Sequence, residues 1–415
     1  MSSSSEGRKV LIVSQYFWPE DFRVNELATG LKKRGFIVEV LTSTPNYPSG
    51  KIFSNYKENP SKYSYFNDIY IHRVKQIPRG KNKLSLIVNY LSFAISASIY
   101  CIFKLRKRKF DLIFAVQLSP IFSVIPAIIC KKLFKKPLFF WVLDIWPDSL
   151  GSVKIKTNSY AYKILEKICS FLYSSADLLF LSSKGFKKRL NEIGVTKPRL
   201  VYFPNWVEDI YSKDINLKSK QGIEVHEIMS KWSGKKIFLF AGNVGEAQNF
   251  SNLLKGFKKS SSLDNIVFLV IGDGRFTDSL ELMIDSYGLK NNVFLLGRYE
   301  TSYMSYFFYY SDILVFSLTD IPIFALTLPG KVQSYMSSGS PIIAMVNGEA
   351  QELIRDSKCG YSVAPGNVKE FSILIDKCFN TPSQDLKLLG LNGKAFASSK
   401  FNYDSLMNKL VSHFN

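Results

Sequence analysis

Apolar residues along this chain gather into short runs separated by segments with helical spacing. Lys9 to Ser14 (KVLIVS) has the pattern of a short buried strand. The following YFWPEDFRVNELATGLKKRGF predicts a loop, then a helix with Val24, Leu27, Ala28 and Leu31 on one face, ending near Gly35. Ile37 to Thr42 reads as a second strand, so the chain opens with a βαβ unit of a parallel sheet. Asp111–Gln117, PLFFWV before Leu143, Ser175–Ser182 and Val201–Trp206 continue as strands. Residues from about 207 to 234 are polar and irregular and predict a linker. Strands then resume at Ile237–Gly242, Ile266–Gly274, Asn292–Arg298, Asp312–Ser317 and Pro341–Met345, with helical patterns between them. The predicted class is α/β, with two doubly wound domains in tandem over 1–206 and 207–385.

Two apolar stretches stand apart. Leu84–Phe103 is about as long as a membrane span, but it contains Asn89 and several serines and is bounded by Lys83 and Lys104. It predicts a buried or interfacial helix rather than a crossing one. Ser119–Leu133 is similar, shorter, and holds two prolines.

Charge changes this picture. The 415 residues carry a formal net charge of +20. Residues 1–204 hold 33 Lys and Arg against 13 Asp and Glu, whereas residues 205–415 hold 21 of each. Much of the excess flanks apolar stretches, as in KLRKRK (Lys104–Lys109) and KKLFKK (Lys131–Lys136), instead of interleaving with aromatics. That favours an anionic membrane surface over nucleic acid as the partner. Cys101, Cys130, Cys169, Cys359 and Cys378 have no CxxC spacing, which fits a reducing compartment and gives no metal signature. MSSSSEGRKV lacks the apolar core of a signal peptide, so nothing predicts export.

Candidate chemistry gathers at strand ends. In the second half, GNVGEAQNF offers Gly242, Asn243, Gly245 and Gln248; GDGR offers Gly272 and Arg275; and LPGK offers Leu328, Pro329, Gly330 and Lys331 before a helix that Gly339 closes. A helix N-terminus presents unpaired N–H groups and a positive dipole end, which suit a phosphate or diphosphate. Taken singly, each glycine is equally a requirement of its turn; three such turns on one sheet edge point to a nucleotide-diphosphate ligand. GxxxxGK[ST] and GxGxxG are both absent, against a P-loop NTPase and a dinucleotide oxidoreductase. In the first half the candidates are Asp21 and Arg23 after the first strand, Asn46 and Tyr47 in the loop Thr44–Lys51, and Asp144 and Asp148 in LDIWPDS. Either aspartate could orient an acceptor hydroxyl or simply cap a turn. His72, His226 and His413 form no catalytic or metal-binding spacing.

KVLIVSQYFWPE, LKKRGFIVEVLTSTPNYPSGK, LDIWPDS, FAGNVGEAQ, FLVIGDG, VFLLGR and PGKVQSYMSSGSPIIAMVNGEAQELI together resemble GT-B glycosyltransferases of family 4, in the subgroup building O-antigen, capsule and exopolysaccharide. The NYPSGK, WPDS and GNVGEAQ pieces are similar to enzymes acting on lipid-pyrophosphate acceptors, including N-acetyl-fucosamine transferases. The resemblance implies two Rossmann-like domains facing a central cleft, a nucleotide-sugar donor held by the second, and transfer with retention. It implies no metal or other cofactor, a polyprenyl-pyrophosphate saccharide acceptor, and peripheral location at the cytoplasmic face of the inner membrane. It also implies that the last helix, about Tyr403–Phe414, in a C-terminal helical segment 386–415, crosses back to the first domain. Arg298, Ser334 and Glu349 join the donor set, Glu349 in NGEAQEL as a contact to sugar or ribose or equally as an exposed loop residue, with Asp144 and Lys331 as catalytic residues. The family's paired glutamates fall on Leu326 and Ser334, its Arg and Lys near Asn243 and Gln248, and its first-domain histidine near Leu143–Asp144. Lys331 is then the residue left to meet diphosphate charge. The alternative is a non-catalytic homologue acting as a binding subunit of an assembly complex.

Overall fold

The structure, a computed structural model, describes residues 7–47, 50–78, 83–153, 159–208, 211 and 215–414. Pro48 and Ser49 of the expected ligand loop, and the leading serines, lie outside these residues. The chain divides into two compact units: Met1–Pro204 with Asp404–Asn415, and Asn205–Tyr403.

The first unit is built on an eight-stranded sheet of β1 (Lys9–Val13), β2 (Ile37–Ser43), β3 (Tyr65–Phe66), β4 (Ile69–Val74), β5 (Leu112–Gln117), β6 (Leu138–Val142), β7 (Leu178–Leu181) and β8 (Arg199–Tyr202). Their order is β3-β4-β2-β1-β5-β6-β7-β8, parallel throughout except for the β3–β4 pair. The second unit carries β9 (Lys236–Ala241), β10 (Ile266–Ile271), β11 (Val293–Gly297), β12 (Ile313–Ser317), β13 (Ile342–Met345) and β14 (Gly360–Val363), in the order β11-β10-β9-β12-β13-β14 and all parallel. Both are Rossmann-like orders, in which the chain starts mid-sheet, winds outward, and returns to wind the other way. β5, β6, β10 and β12 are buried along their whole length, because helices cover both faces of a parallel sheet.

Two expectations need correction. The predicted linker is partly a helix, Lys220–Met229, whose Val225 and Met229 are buried in the second core. Its apolar positions are few and widely spaced, so the polar background hides the amphipathic face. The segment 386–415 is also divided. The helix Ser383–Lys400 packs within the second unit, where Gly390 lies against the Gly339 carbonyl. Only the final helix, Tyr403–Val411, belongs with the first. There Arg34 pairs with Asp404 at 2.7 Å, and Phe414 meets the rings of Phe36, Phe114 and Phe139.

Candidate functional site

In a doubly wound sheet a crevice opens at the carboxyl ends of the two strands where the winding reverses. In the second unit those strands are β9 and β12. They pair over only two positions, Ile313 with Phe238 and Leu314 with Leu239, whereas β9 and β10 pair along all six residues of β9. The last residues of β9 therefore lack a strand neighbour on the β12 side. Tyr335, on the helix Gly330–Ser338, fills that place: its hydroxyl accepts from Ala241 N–H at 2.7 Å and donates to Ala241 C=O at 3.0 Å. A single buried phenol thus satisfies both backbone groups, as a hydroxyl can. Burial holds its pKa well above the usual phenol value.

Lys331 reaches the same opening. Its Nζ donates to Gln248 Oε1 at 2.6 Å and stands 4.0 Å from the centroid of Phe240. Among the described residues no carboxylate pairs with it. Burial without a counter-charge pushes its pKa down to about 7. Gly242, with φ +141°, makes room: a Cβ there would stand 3.3 Å from Nζ. The helix bearing Lys331 starts after Pro329 with no side-chain cap, so its first turn offers N–H groups that no capping side chain takes up. Leu328 is buried, Gly330 is exposed, and Ser334 is half-buried on the first turns. The loop carrying Gln248 is tied to the end of β12 by Thr319 N–H to Ala247 C=O at 2.9 Å and by Ser317 Oγ to the Gln248 carbonyl. A cation, a helix N-terminus and two fixed loops converge here, an arrangement that fits an anionic diphosphate.

The glycines of the GDGR turn have a packing reason. A Cβ on Gly272 would strike the Gly242 carbonyl, and one on Gly274 the Val244 carbonyl; Val244 N–H bonds Asp273 C=O at 2.8 Å. These glycines let the two loops pack on each other. Gly245 lies beside the Asn243 amide, while Asn243, Arg275 and Arg298 are exposed, the last at the end of edge strand β11. Glu349 begins the helix Glu349–Ser357 and is buried. The Gly348 before it has φ +66° and lies against the Ala325 carbonyl. The helix that Glu349 begins therefore starts beside Pro322–Leu326, the segment in which the resemblance expected a carboxylate at position 326. A cavity of about 1040 Å³ along β11, lined by Trp232, Leu282 and Phe294, holds none of the nominated residues.

In the first unit the reversal lies between β1 and β5. Gln15 follows β1 and Gln117 ends β5; both are fully buried, and their Oε1 atoms have no hydrogen-bond partner. Glu20, also buried, uses Oε1 to accept from Asn46 N–H at 2.8 Å and Tyr47 N–H at 2.7 Å. Its Oε2 has no partner, and burial raises its pKa. Arg73, with its pKa lowered to about 10 by burial, binds the carbonyls of Ser43, Tyr63 and Trp18. Asn46 is itself buried, its amide on Thr44 C=O at 2.8 Å. Tyr47 is exposed beside Tyr16 and Phe22, ring centroids 5.1 to 5.3 Å apart. Asp21 is exposed, and Arg23 faces Glu26 at 3.4 Å within its own helix.

Asp144 is half-buried, hydrogen-bonded by Ser149, and raised in pKa by burial. Asp148 accepts both its bonds from Arg189 at 2.9 Å, and Arg189 also holds Glu166. That ion pair joins the LDIWPDS loop to two helices, Tyr160–Ser174 and Gly185–Glu192. Lys331 and Gln248 are thus brought together, whereas Asp148 is engaged by its arginine. The sequence reading missed Tyr335 as a strand substitute, and Gln15, Gln117, Glu20 and Arg73. Polar residues directly after apolar strand runs were the available signal for Gln15 and Gln117. Among the described residues no three His, Cys, Asp or Glu form a metal-ligand group.

Comparison with known proteins adds what the chain is similar to. Residues 224–394, within the second unit, match the family model "Glycosyl transferases group 1". The probable glycosyltransferase WbjE of Pseudomonas aeruginosa is 28% identical over 249 residues, 58% of this chain and 60% of that protein. The putative colanic acid biosynthesis glycosyl transferase WcaI of Escherichia coli is 23% identical over 309 residues, 69% of this chain and 71% of that protein. The crystal structure of Anabaena Alr3699/HepE with UDP superposes with a TM-score of 0.70 at 14% identity, covering 98% of this chain and 99% of that one. The second unit therefore carries a glycosyltransferase group 1 domain, and the two α/β units together have the GT-B fold class.

Proposed function

We propose that this chain is a retaining, metal-independent glycosyltransferase. It moves a sugar, a hexose or N-acetylamino sugar, from a UDP-linked donor to a polyprenyl-pyrophosphate saccharide in surface polysaccharide synthesis. It would work as a peripheral protein at the cytoplasmic face of the inner membrane. The observation that carries the reading is Lys331: a half-buried cation with no carboxylate partner among the described residues, held by Gln248 at a strand reversal, on the first turn of a helix. The UDP and UDP-glucose bound in the Anabaena structures support a nucleotide-sugar donor.

In this reading Lys331 and the N–H groups after Pro329 bind the diphosphate more strongly as it leaves, when its charge grows. The bond from the anomeric carbon to the diphosphate oxygen breaks. The acceptor oxygen bonds the same face, and its proton passes to the departing phosphate oxygen. No strong protein base is then required. Glu349 would contact the sugar or ribose, and the first unit would supply acceptor contacts.

Lys331→Met keeps the chain's bulk and removes the charge. It is expected to weaken UDP binding and cut turnover roughly 100- to 1000-fold, about 3–4 kcal/mol, with an unchanged circular dichroism spectrum. Near-normal turnover would sink the assignment. Leu326 and Ser334, where relatives carry carboxylates, favour a second reading as a non-catalytic binding subunit. UDP release from a UDP-sugar by the purified protein would exclude it.

A further inference from the structure

The helix Lys83–Tyr100, continued by a wider π turn over Cys101–Leu105, contains no acidic residue. One stripe of it, Asn89, Phe93, Ala97, Cys101 and Leu105, is fully buried. The stripe on the other side is as apolar and faces solvent: Leu91 is 40% exposed, Ile95 59%, Ile99 52% and Phe103 76%. These residues recur at four-residue steps over more than three turns, a continuous face that nothing among the described residues covers. The helix Tyr160–Ser174 repeats the pattern with Tyr160, Ile164, Ile168 and Phe171, which are 81%, 45%, 42% and 67% exposed.

The two stripes lie on one side of the first sheet. The connections β4 to β5, β5 to β6 and β6 to β7 all advance in the same direction across it, so right-handed crossovers place their helices on the same face. Both helices also touch the short segment Ile121–Val124 between them. Residues 83–110, 121–136 and 160–174, which form this layer, hold 12 Lys and Arg and one acid, Glu166. That acid is held by Arg189. Lys163 and Lys167 are exposed among the apolar positions of the second helix, and Lys104, Arg106 and Lys107 are exposed at the end of the first.

We propose that this face docks flat on an anionic phospholipid surface, with the two apolar stripes entering the headgroup–acyl boundary and the lysines and arginines meeting lipid phosphates. Bare apolar stripes rimmed by a single sign of charge match that surface on both counts. Val88–Leu105 is long and apolar enough to cross a bilayer, but only a third of it is buried in the protein, and that part is firmly held. Asn89 Nδ2 donates to Ile77 C=O at 2.6 Å, and the Tyr100 hydroxyl meets His72 Nδ1 at 3.1 Å. Crossing would break these bonds and leave Asn89 in hydrocarbon. Lying in the plane keeps them and still removes the exposed stripe from water. The inference rests on the reading of a membrane-borne acceptor for its purpose in the reaction, and on its own residues for binding.

The test uses the full chain without donor or acceptor, in sedimentation with phosphatidylcholine vesicles containing a quarter phosphatidylglycerol, at ~0.15 M salt. Binding is expected, is lost on pure phosphatidylcholine, and weakens about tenfold or more in the triple variant Ile95→Gln, Ile99→Gln, Phe103→Gln and in the pair Ile164→Gln, Phe171→Gln. Leu282→Gln, an equally exposed change on the second unit, leaves it unchanged. Binding indifferent to these variants overturns the proposal. So does a dimer in light scattering that the variants dissolve, or protein that alkaline carbonate does not strip from the vesicles. UDP-induced thermal shifts of the same variants stay at the parent value. If the donor reading fails instead, those shifts vanish in every form while vesicle binding persists.

Discussion

The two sheets pose the same problem at the same place and solve it differently. Each reverses its winding beside its first strand, between β1 and β5 in one unit and between β9 and β12 in the other. At the second opening the free strand edge is closed by Tyr335, and Lys331 lies beside it with no anion. At the first, Gln15 and Gln117 present buried, unpartnered carbonyl oxygens, and the charged Arg73 is engaged by backbone carbonyls. The half of the chain with net charge +20 thus presents unpartnered amide oxygens and the Glu20 carboxyl at its opening, and the half with no net charge carries the half-buried cation. Net charge reports what a surface meets; burial and missing partners report what a pocket binds. Under the proposed function an anionic ligand would bind at the second opening and a neutral, hydroxyl-rich one at the first.

Loss of Lys331 is the largest test of that contrast. The next tests separate the openings. Asp148→Ala should cost about 1–2 kcal/mol of stability, because it removes two charge-assisted bonds while Arg189 keeps Glu166 and Glu192, and UDP binding to the remaining folded protein is unchanged. If acceptor KM changed with no loss of melting temperature, Asp148 would be a contact residue and not a support. Tyr335→Phe should cost about 1–3 kcal/mol by stranding Ala241 N–H and C=O, and should weaken UDP binding through the disturbed strand end. An unchanged denaturation midpoint would remove Tyr335 from the account.

The smallest effect is the pH dependence. Lys331 is half-charged near pH 7 in the free protein, whereas its unfolded value is near 10.5. UDP affinity should therefore fall as pH rises above ~7, by at most about tenfold per unit, since phosphate has already ionised near ~6. Over the same window the unfolded chain binds the extra proton, so the contribution of this lysine to stability improves with rising pH. Calorimetric titration with UDP across this range would show the slope, and Lys331→Met should flatten it.

Much of the fold was legible. KVLIVS, IFLFAG and IVFLVI are apolar without alternation, and strands buried on both faces need that. β4 (IYIHRV) was missed because His72 and Arg73 interrupt it; His72 is nonetheless buried, hydrogen-bonded to Glu39 at 2.6 Å. Lys331 could be nominated from LPGK before a helix. Asp148 could be nominated too, but its arginine lies 41 residues away along the chain, and no local pattern reports that pairing.

The sequence by itself determined the two α/β halves, the loops at their strand ends and the uneven charge, because strand burial, turn chemistry and charge are local properties. Tertiary structure alone decided which of those loops meet. The glycines of GDGR proved to seat one loop on another, Lys331 came to rest over Phe240 against Gln248, and an apolar helix turned half its surface outward. Each depends on residues tens of positions apart brought within a few ångströms, where packing and desolvation, rather than local pattern, set the chemistry.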